Sequence, residues 1–213
     1  MTEPVLNLRE HCKNMLKTGY EIPKIAFMPH SISDVLNMFK EGEAMSEFDH
    51  IFCAMGVEGF PSRVLSTFAN SFLTYVSPEE MLVNTTGIGH IDPLTLNDLY
   101  NFKSITNNTK LFGIIGWPLT KIFSTVVQNV GYRQLGFDNV YIPVRTKSLS
   151  QGLEFCEYMG FRGLTVADPY KEAVMFYLSE HSPEVLQMGV CDTIINKNNK
   201  WIGYNSEYIG FKK

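Results

Sequence analysis

Residues 21–31 read EIPKIAFMPHS, and their reading decides the fold class of this 213-residue chain. The apolar run 24–28 (KIAFM) lies between Pro23 and Pro29, which confines it to strand length. A helical pattern over 33–40 follows, opened by a serine or aspartate cap. One strand followed by one helix is a β/α unit, and the same alternation recurs outward from it. Residues 50–55 (HIFCAM) read as a second strand ended by Gly56, 61–68 as a helix and 72–76 as a third strand. Asp92-Pro93 supplies a cap and a first-turn proline for a helix carrying Leu96, Leu99 and Phe102. On the other side of the lysine strand, residues 5–16 read as a helix.

The polar stretch 104–110 (SITNNTK) divides the chain. Beyond it the alternation resumes, with strands expected at 110–115, 140–144 and 163–167 and helices at 125–135 and 149–159. A helix from Asp168-Pro169 to Leu178 follows. A hairpin of 192–197 and 201–204 turns around KNNK, and a last helix opens near Gly210. The expected architecture is α/β: three β/α units in residues 1–103, a linker 104–109, and an α/β domain with a mostly parallel sheet in 110–213.

Net charge −4 and an isoelectric point of about 5.7 argue against a polyanion-binding face, because no basic face is available to release counterions. Nucleic acid is therefore not an expected partner. The four cysteines are widely spaced, without CxxC, and the five histidines show no HxxxH or HxxH spacing. Reduced thiols in a cytoplasmic protein without a metal site are expected. The first twenty residues read as neither signal peptide nor membrane span, so no membrane partner is expected.

Several residues carry candidate chemistry. Lys24 shares a strand face with Ala26 and Met28, and an ammonium there would be partly desolvated and drawn toward imine chemistry. From spacing alone, a lysine at the start of an edge strand, snorkelling to water, is the favoured explanation. Arg63 follows a strand and a glycine-bearing loop, where a guanidinium suits a carboxylate. A solvent-facing helix arginine is the alternative. Residues 86–90 (TGIGH) lack the third glycine of a dinucleotide fingerprint, which leaves a loop over a site or a surface turn. Lys171, in the first turn after a strand, and Glu207, after the last strand, are placed to shuttle a proton or to be two surface charges.

Residues 21–31 also resemble the sixth-strand signature of type I 3-dehydroquinate dehydratases, and residues 55–65 (MGVEGFPSRVL) resemble that family's glycine-rich stretch ending in Ser-Arg. The resemblance implies that Lys24 forms the Schiff base and that Arg63 grips the substrate carboxylate. It also implies that Thr86 and His90 stand at substrate-facing places of the closing loop. Residues 112–118 (FGIIGWP), 160–172 (GFRGLTVADPYKE) and 203–210 (GYNSEYIG) resemble the substrate-binding domain of shikimate dehydrogenases. This puts Lys171 on the catalytic lysine, Glu207 on the catalytic aspartate, and Ser124, Asp192 and Asn205 among the substrate ligands.

The departures from the second family are specific. Its Ser-x-Ser clamp is Ile122-Phe123-Ser124, its Asn-Val-Thr stretch is Thr165-Val166-Ala167, and an asparagine and an aspartate have become Asp192 and Glu207. Each lost hydrogen bond is worth about 1 kcal/mol. The resemblance implies the last three units of a (β/α)8 barrel followed by a substrate-binding domain. The barrel's earlier strands and the NADP-binding domain are expected to lie outside these 213 residues. No cofactor is then expected on this chain itself, with NADP serving the full-length family. The expected ligands are 3-dehydroquinate, shikimate or 3-dehydroshikimate, and the open barrel edge implies self-association or a complementing chain. A non-catalytic regulatory relative, similar to fungal quinate repressors, is the alternative function.

Overall fold

The computed structural model describes residues 7–77, 91–120 and 123–212. It divides into two compact units, Met1–Thr109 and Lys110–Lys213.

In the first unit, helix α1 (Leu8–Met15) precedes strand β1 (Lys24–Phe27), helix α2 (Ile32–Glu43) and strand β2 (Ile51–Ala54). Helix α2 forms where expected because Ser31 caps it. The Ser31 hydroxyl accepts from Ser33 N, and the Asp34 carboxylate reaches back to the Ser31 N–H. Its Ile32, Val35, Leu36 and Phe39 fall at helical spacing and are all buried. Strands β1 and β2 pair in parallel, Lys24 opposite Ile51 and Phe27 opposite Ala54. Helix α3 (Pro61–Val64) and a 3₁₀ turn (Ser66–Ala69) complete this part.

Two expectations for this unit fail. Residues 72–76 form no strand; a single parallel bridge, His50 to Ser71, is all that pairs there. The reason is local: the Ser71 hydroxyl, not a backbone carbonyl, accepts the Phe52 N–H, so the ladder stops after one rung. The helix after Asp92 does form its cap, Asp92 Oδ1 accepting from Thr95 N at 2.8 Å. It then winds as a π turn over Thr95–Leu99 and ends at Asn101 in the left-handed region. The wider turn moves the core face from Leu96, Leu99 and Phe102 to Leu96 and Tyr100, whose ring meets Phe60 at 5.8 Å.

The second unit is built on a six-stranded sheet in the order β4-β3-β5-β7-β8-β6. Its strands are β3 (Lys110–Gly116), β4 (Asn139–Arg145), β5 (Gly163–Val166), β6 (Glu180–His181), β7 (Thr193–Lys197) and β8 (Lys200–Tyr204). The sheet is mixed. Strand β7 runs against its neighbours β5 and β8, and the other pairings are parallel. Helices α4 (Phe123–Gln134), α5 (Leu149–Tyr158), α6 (Tyr170–Ala173), α7 (Pro183–Met188) and α8 (Ser206–Lys212) connect or follow the strands.

The hairpin turns on Asn198 and Asn199, both with positive φ, which asparagine tolerates and a tight hairpin requires. Strand β6 and helix α7 were not legible in the sequence, being only two and six residues long. The helix after Asp168 is a short α6 followed by a 3₁₀ turn (Val174–Tyr177), and it starts without a side-chain cap. The last helix begins at Ser206 rather than at Gly210.

On the outer edge of β4 one residue, Tyr141, is paired by a side chain. Asn129 of α4 donates to Tyr141 O at 2.8 Å and accepts from Tyr141 N at 2.8 Å, as a neighbouring strand would. Asn129→Leu would leave both backbone groups unpaired in a buried place. It is expected to lower stability by about 2–4 kcal/mol, read as a lower urea midpoint at unchanged slope.

Candidate functional site

The first unit brings Lys24 and Arg63 to one side of the β1–β2 pair. In a parallel pair, partnered residues project to the same face, so Lys24 and Ala26 share theirs with Ile51 and Cys53. Arg63 is buried, and its Nη1 donates to the Cys53 thiol. Its Nε is buried without a hydrogen-bond partner. Burial pushes the Cys53 thiol up, against the opposing pull of the Arg63 and Lys24 charges.

The loop that delivers Arg63 is fixed by Ser62. Its hydroxyl accepts from Ala54 N and donates to the Gly59 and Ala54 carbonyls. Gly59 must be glycine, because a Cβ there would meet the Ala54 and Met55 carbonyl oxygens at 2.4 Å.

Of the two readings of Lys24, the structure shows the lysine at the start of an edge strand, reaching out of it. As the first residue of β1 it is exposed, so the strand alternation does not bury it. Its ammonium instead lies 3.6 Å from the centre of the Tyr75 ring, a cation–π contact. Thr86 and His90 lie outside the described residues.

In the second unit, Lys171 follows β5, Glu207 follows β8, Asp192 precedes β7, and Ser124 stands in the first turn of α4 after β3. These positions gather at the carboxyl end of the parallel strands, where open α/β sheets bind ligands. Lys171 Nζ donates to both Glu207 carboxylate oxygens at 2.7 Å. Partial burial draws the Lys171 ammonium down. The hydrogen bond and charge of Glu207, with the charges of Asp168 and Asp192 beyond, outweigh this and hold it above its ordinary value.

Asp192 is buried and acts as a cap. Its Oδ1 accepts from Thr193 Oγ1 at 2.6 Å, Ser206 N at 2.9 Å and Ser206 Oγ at 2.8 Å, and its Oδ2 accepts from Glu207 N at 2.7 Å. Burial alone would raise its carboxyl, but these donors outweigh it and hold the group below the usual carboxylate range. Asn205 is likewise engaged, donating to Val190 O and accepting from Tyr208 N. Ser124 bonds the Tyr141 hydroxyl, which donates onward to Thr165 Oγ1 at 2.8 Å, and burial raises the Tyr141 phenol.

Sequence reasoning did not single out Cys53, Tyr75 or Tyr141 as parts of these constellations. For Cys53 the signal was present, since a parallel in-register pairing places it on the Lys24 face. Among the described residues there is no cluster of three or more His, Cys, Asp or Glu that could hold a metal, and no helix is long and apolar enough to cross a membrane.

A model of the type I 3-dehydroquinase family matches residues 2–107, and a model of the shikimate dehydrogenase substrate binding domain matches residues 114–194. The chain carries these two domains, one after the other. A bifunctional 3-dehydroquinate dehydratase/shikimate dehydrogenase of Arabidopsis thaliana, named as chloroplastic, is 32% identical over 91% of this chain and 32% of its own length. The shikimate biosynthesis protein AroDE of Chlamydia pneumoniae is 26% identical over 93% of this chain and 41% of its own. A solved shikimate dehydrogenase from Aquifex aeolicus, 30% identical, superposes with a TM-score of 0.49 over 51% of this chain and 41% of that one. The chain thus spans about a third of the Arabidopsis relative it matches. The 3-dehydroquinase part contains Lys24, Cys53, Tyr75 and Arg63; the shikimate dehydrogenase part contains Ser124, Tyr141, Lys171, Asp192 and Glu207.

A carboxyl group that folding makes more acidic stabilises the fold at pH above its ordinary value of about 4, and the contribution is lost as pH falls through the lowered value. Asp192→Asn should remove that acid-side loss. It should also cost about 1.5–3 kcal/mol at neutral pH, because the amide replaces an oxygen that accepts the Glu207 or Ser206 N–H. Thermal melts of both proteins between pH 3 and about pH 7 check the slope and the offset together.

Proposed function

We propose that this chain works in the shikimate pathway as part of a dehydratase–dehydrogenase of the kind its relatives are named for. The single observation that carries this reading is the pairing, on one face, of an accessible lysine with a buried arginine whose Nε is unsatisfied. A buried guanidinium N–H without a partner favours a ligand carboxylate, and the lysine amine beside it suits a ketone. A hydroxylated cyclic keto acid such as 3-dehydroquinate presents both groups. Arg63 would hold the carboxylate while the Lys24 amine attacks the ketone carbon and water leaves. No later step is assigned to the described residues.

The parallel β1–β2 pair, its α2 crossover and the further parallel bridge at Ser71 support reading this unit as the closing part of a (β/α)8 barrel. Among the described residues β1 pairs with β2 alone. An added strand, from a second copy or a complementing chain, would complete that edge. The four buried free cysteines suit a cytoplasmic setting.

In the second unit, the Lys171–Glu207 pair supports proton transfer to or from a hydroxyl of shikimate or 3-dehydroshikimate, with Ser124 and Thr165 as nearby hydrogen-bonding groups and Asp192 and Asn205 holding the α8 end in place.

Imine trapping tests the first reading. After incubation with 3-dehydroquinate and borohydride, peptide mapping should find the reduced adduct on Lys24 and none in Lys24→Ala. A folded protein that gives no adduct at saturating ligand would reject imine chemistry here. Sedimentation velocity tests the edge: species larger than one chain should grow with protein concentration, and a monomer at every concentration would remove the self-association.

A further inference from the structure

A guanidinium offers two useful forks to a carboxylate, the end-on pair of Nη atoms and the side-on pair of Nε with Nη2. In this protein one member of the end-on fork, Nη1, is already committed to the Cys53 thiol, while Nε is buried and unpartnered. Arg63 is only 3% exposed and Cys53 only 5%, so neither group is arranged by bulk water. Cys53 sits on β2 opposite Ala26, on the face that carries Lys24, and both cations act on its thiol.

The sulfur is a weak acceptor, enough to set the angle of the planar group without competing for its charge as a carboxylate would. Meanwhile Thr74 Oγ1 holds the Arg63 backbone carbonyl at 2.9 Å, so the arginine is tethered at its base as well as at its tip.

We propose that Cys53 is a positioning residue for Arg63. Its thiol holds Nη1 so that the side-on Nε edge receives the carboxylate of the keto acid whose carbonyl meets Lys24. The inference rests on the reading of Arg63 as the carboxylate ligand but not on imine formation. It makes the identity of residue 53 a determinant of affinity for the carboxylate and leaves the amine chemistry alone. Serine at this position keeps an acceptor at nearly the same place, whereas alanine removes it and frees the guanidinium to rotate.

The test follows the Arg63 Nε–H directly. Its proton–nitrogen NMR resonance, assigned by its loss in Arg63→Lys, is titrated with 3-dehydroquinate and with its methyl ester. For the unaltered chain and for Lys24→Ala, the resonance should shift with the acid and stay in place with the ester. In Cys53→Ala the half-saturating acid concentration should rise about ten-fold. Cys53→Ser should return it to within about three-fold of the starting value, with the borohydride-trapping rate at saturation unchanged in both Cys53 variants.

Superimposable titrations for the unaltered chain and Cys53→Ala would overturn the proposal. So would an Nε resonance that the acid does not move, or one that the ester moves equally. A serine variant as weak as alanine, with its thermal midpoint intact, would also overturn it. Loss of the adduct alone, with the Nε titration preserved, would count against the imine reading and support this one.

Discussion

The second unit hangs on Asp192. Its backbone carbonyl accepts from Val166 N at 2.7 Å and its backbone N–H reaches Tyr204 O, so the residue joins β5 to the end of β8. Its side chain then takes the first N–H groups of α8 together with the Ser206 and Thr193 hydroxyls. A buried carboxylate is tolerated only when its lone pairs are filled, and here they are filled by groups that must be held anyway. Glu207 owes its position to that cap, and against the downward pull of burial it is the main partner that holds the Lys171 ammonium above its ordinary value.

This changes the meaning of the substitution at residue 192. An asparagine carries one acceptor and one donor, so it can cap a helix and still offer a hydrogen to a ligand. An aspartate is acceptor-only. In this chain the extra oxygen is spent on the Glu207 N–H, and the longer Glu207 side chain reaches Lys171 through both of its oxygens. Residue 192 thus spends its carboxylate on internal order, while the Lys171–Glu207 ion pair stays in place beside it.

The two units solve a similar problem with different materials. Around Lys171 a cation is matched by a carboxylate. Among the described residues the Arg63 guanidinium is met by a thiol, and its Nε–H has no hydrogen-bond partner. A buried charge with incomplete pairing is costly to the fold, and such a cost persists where a ligand supplies the missing partner. On this ground the first unit, despite its small sheet, carries the stronger sign of ligand binding.

The sequence by itself determined the α/β class, the boundary near residue 109, the capped helix at Ser31, the asparagine hairpin and the family of each half. These depend on short-range rules: periodicity, caps and turn residues act within a few positions of one another. It also put Lys24, Arg63, Lys171 and Glu207 forward as candidates. Only the tertiary structure decided that Lys24 is exposed and rests on Tyr75, that Cys53 holds Arg63, and that Asp192 and Asn205 are occupied as caps. It likewise decided that residues 72–76 stay unpaired and that Tyr100 replaces Leu99 in the core. Each of these outcomes turns on partners distant in sequence or on one hydrogen bond, such as Ser71 to Phe52, displacing the regular ladder. Local pattern carries no information about which side chain will fill a given buried lone pair, and that is where the chemistry of both sites was settled.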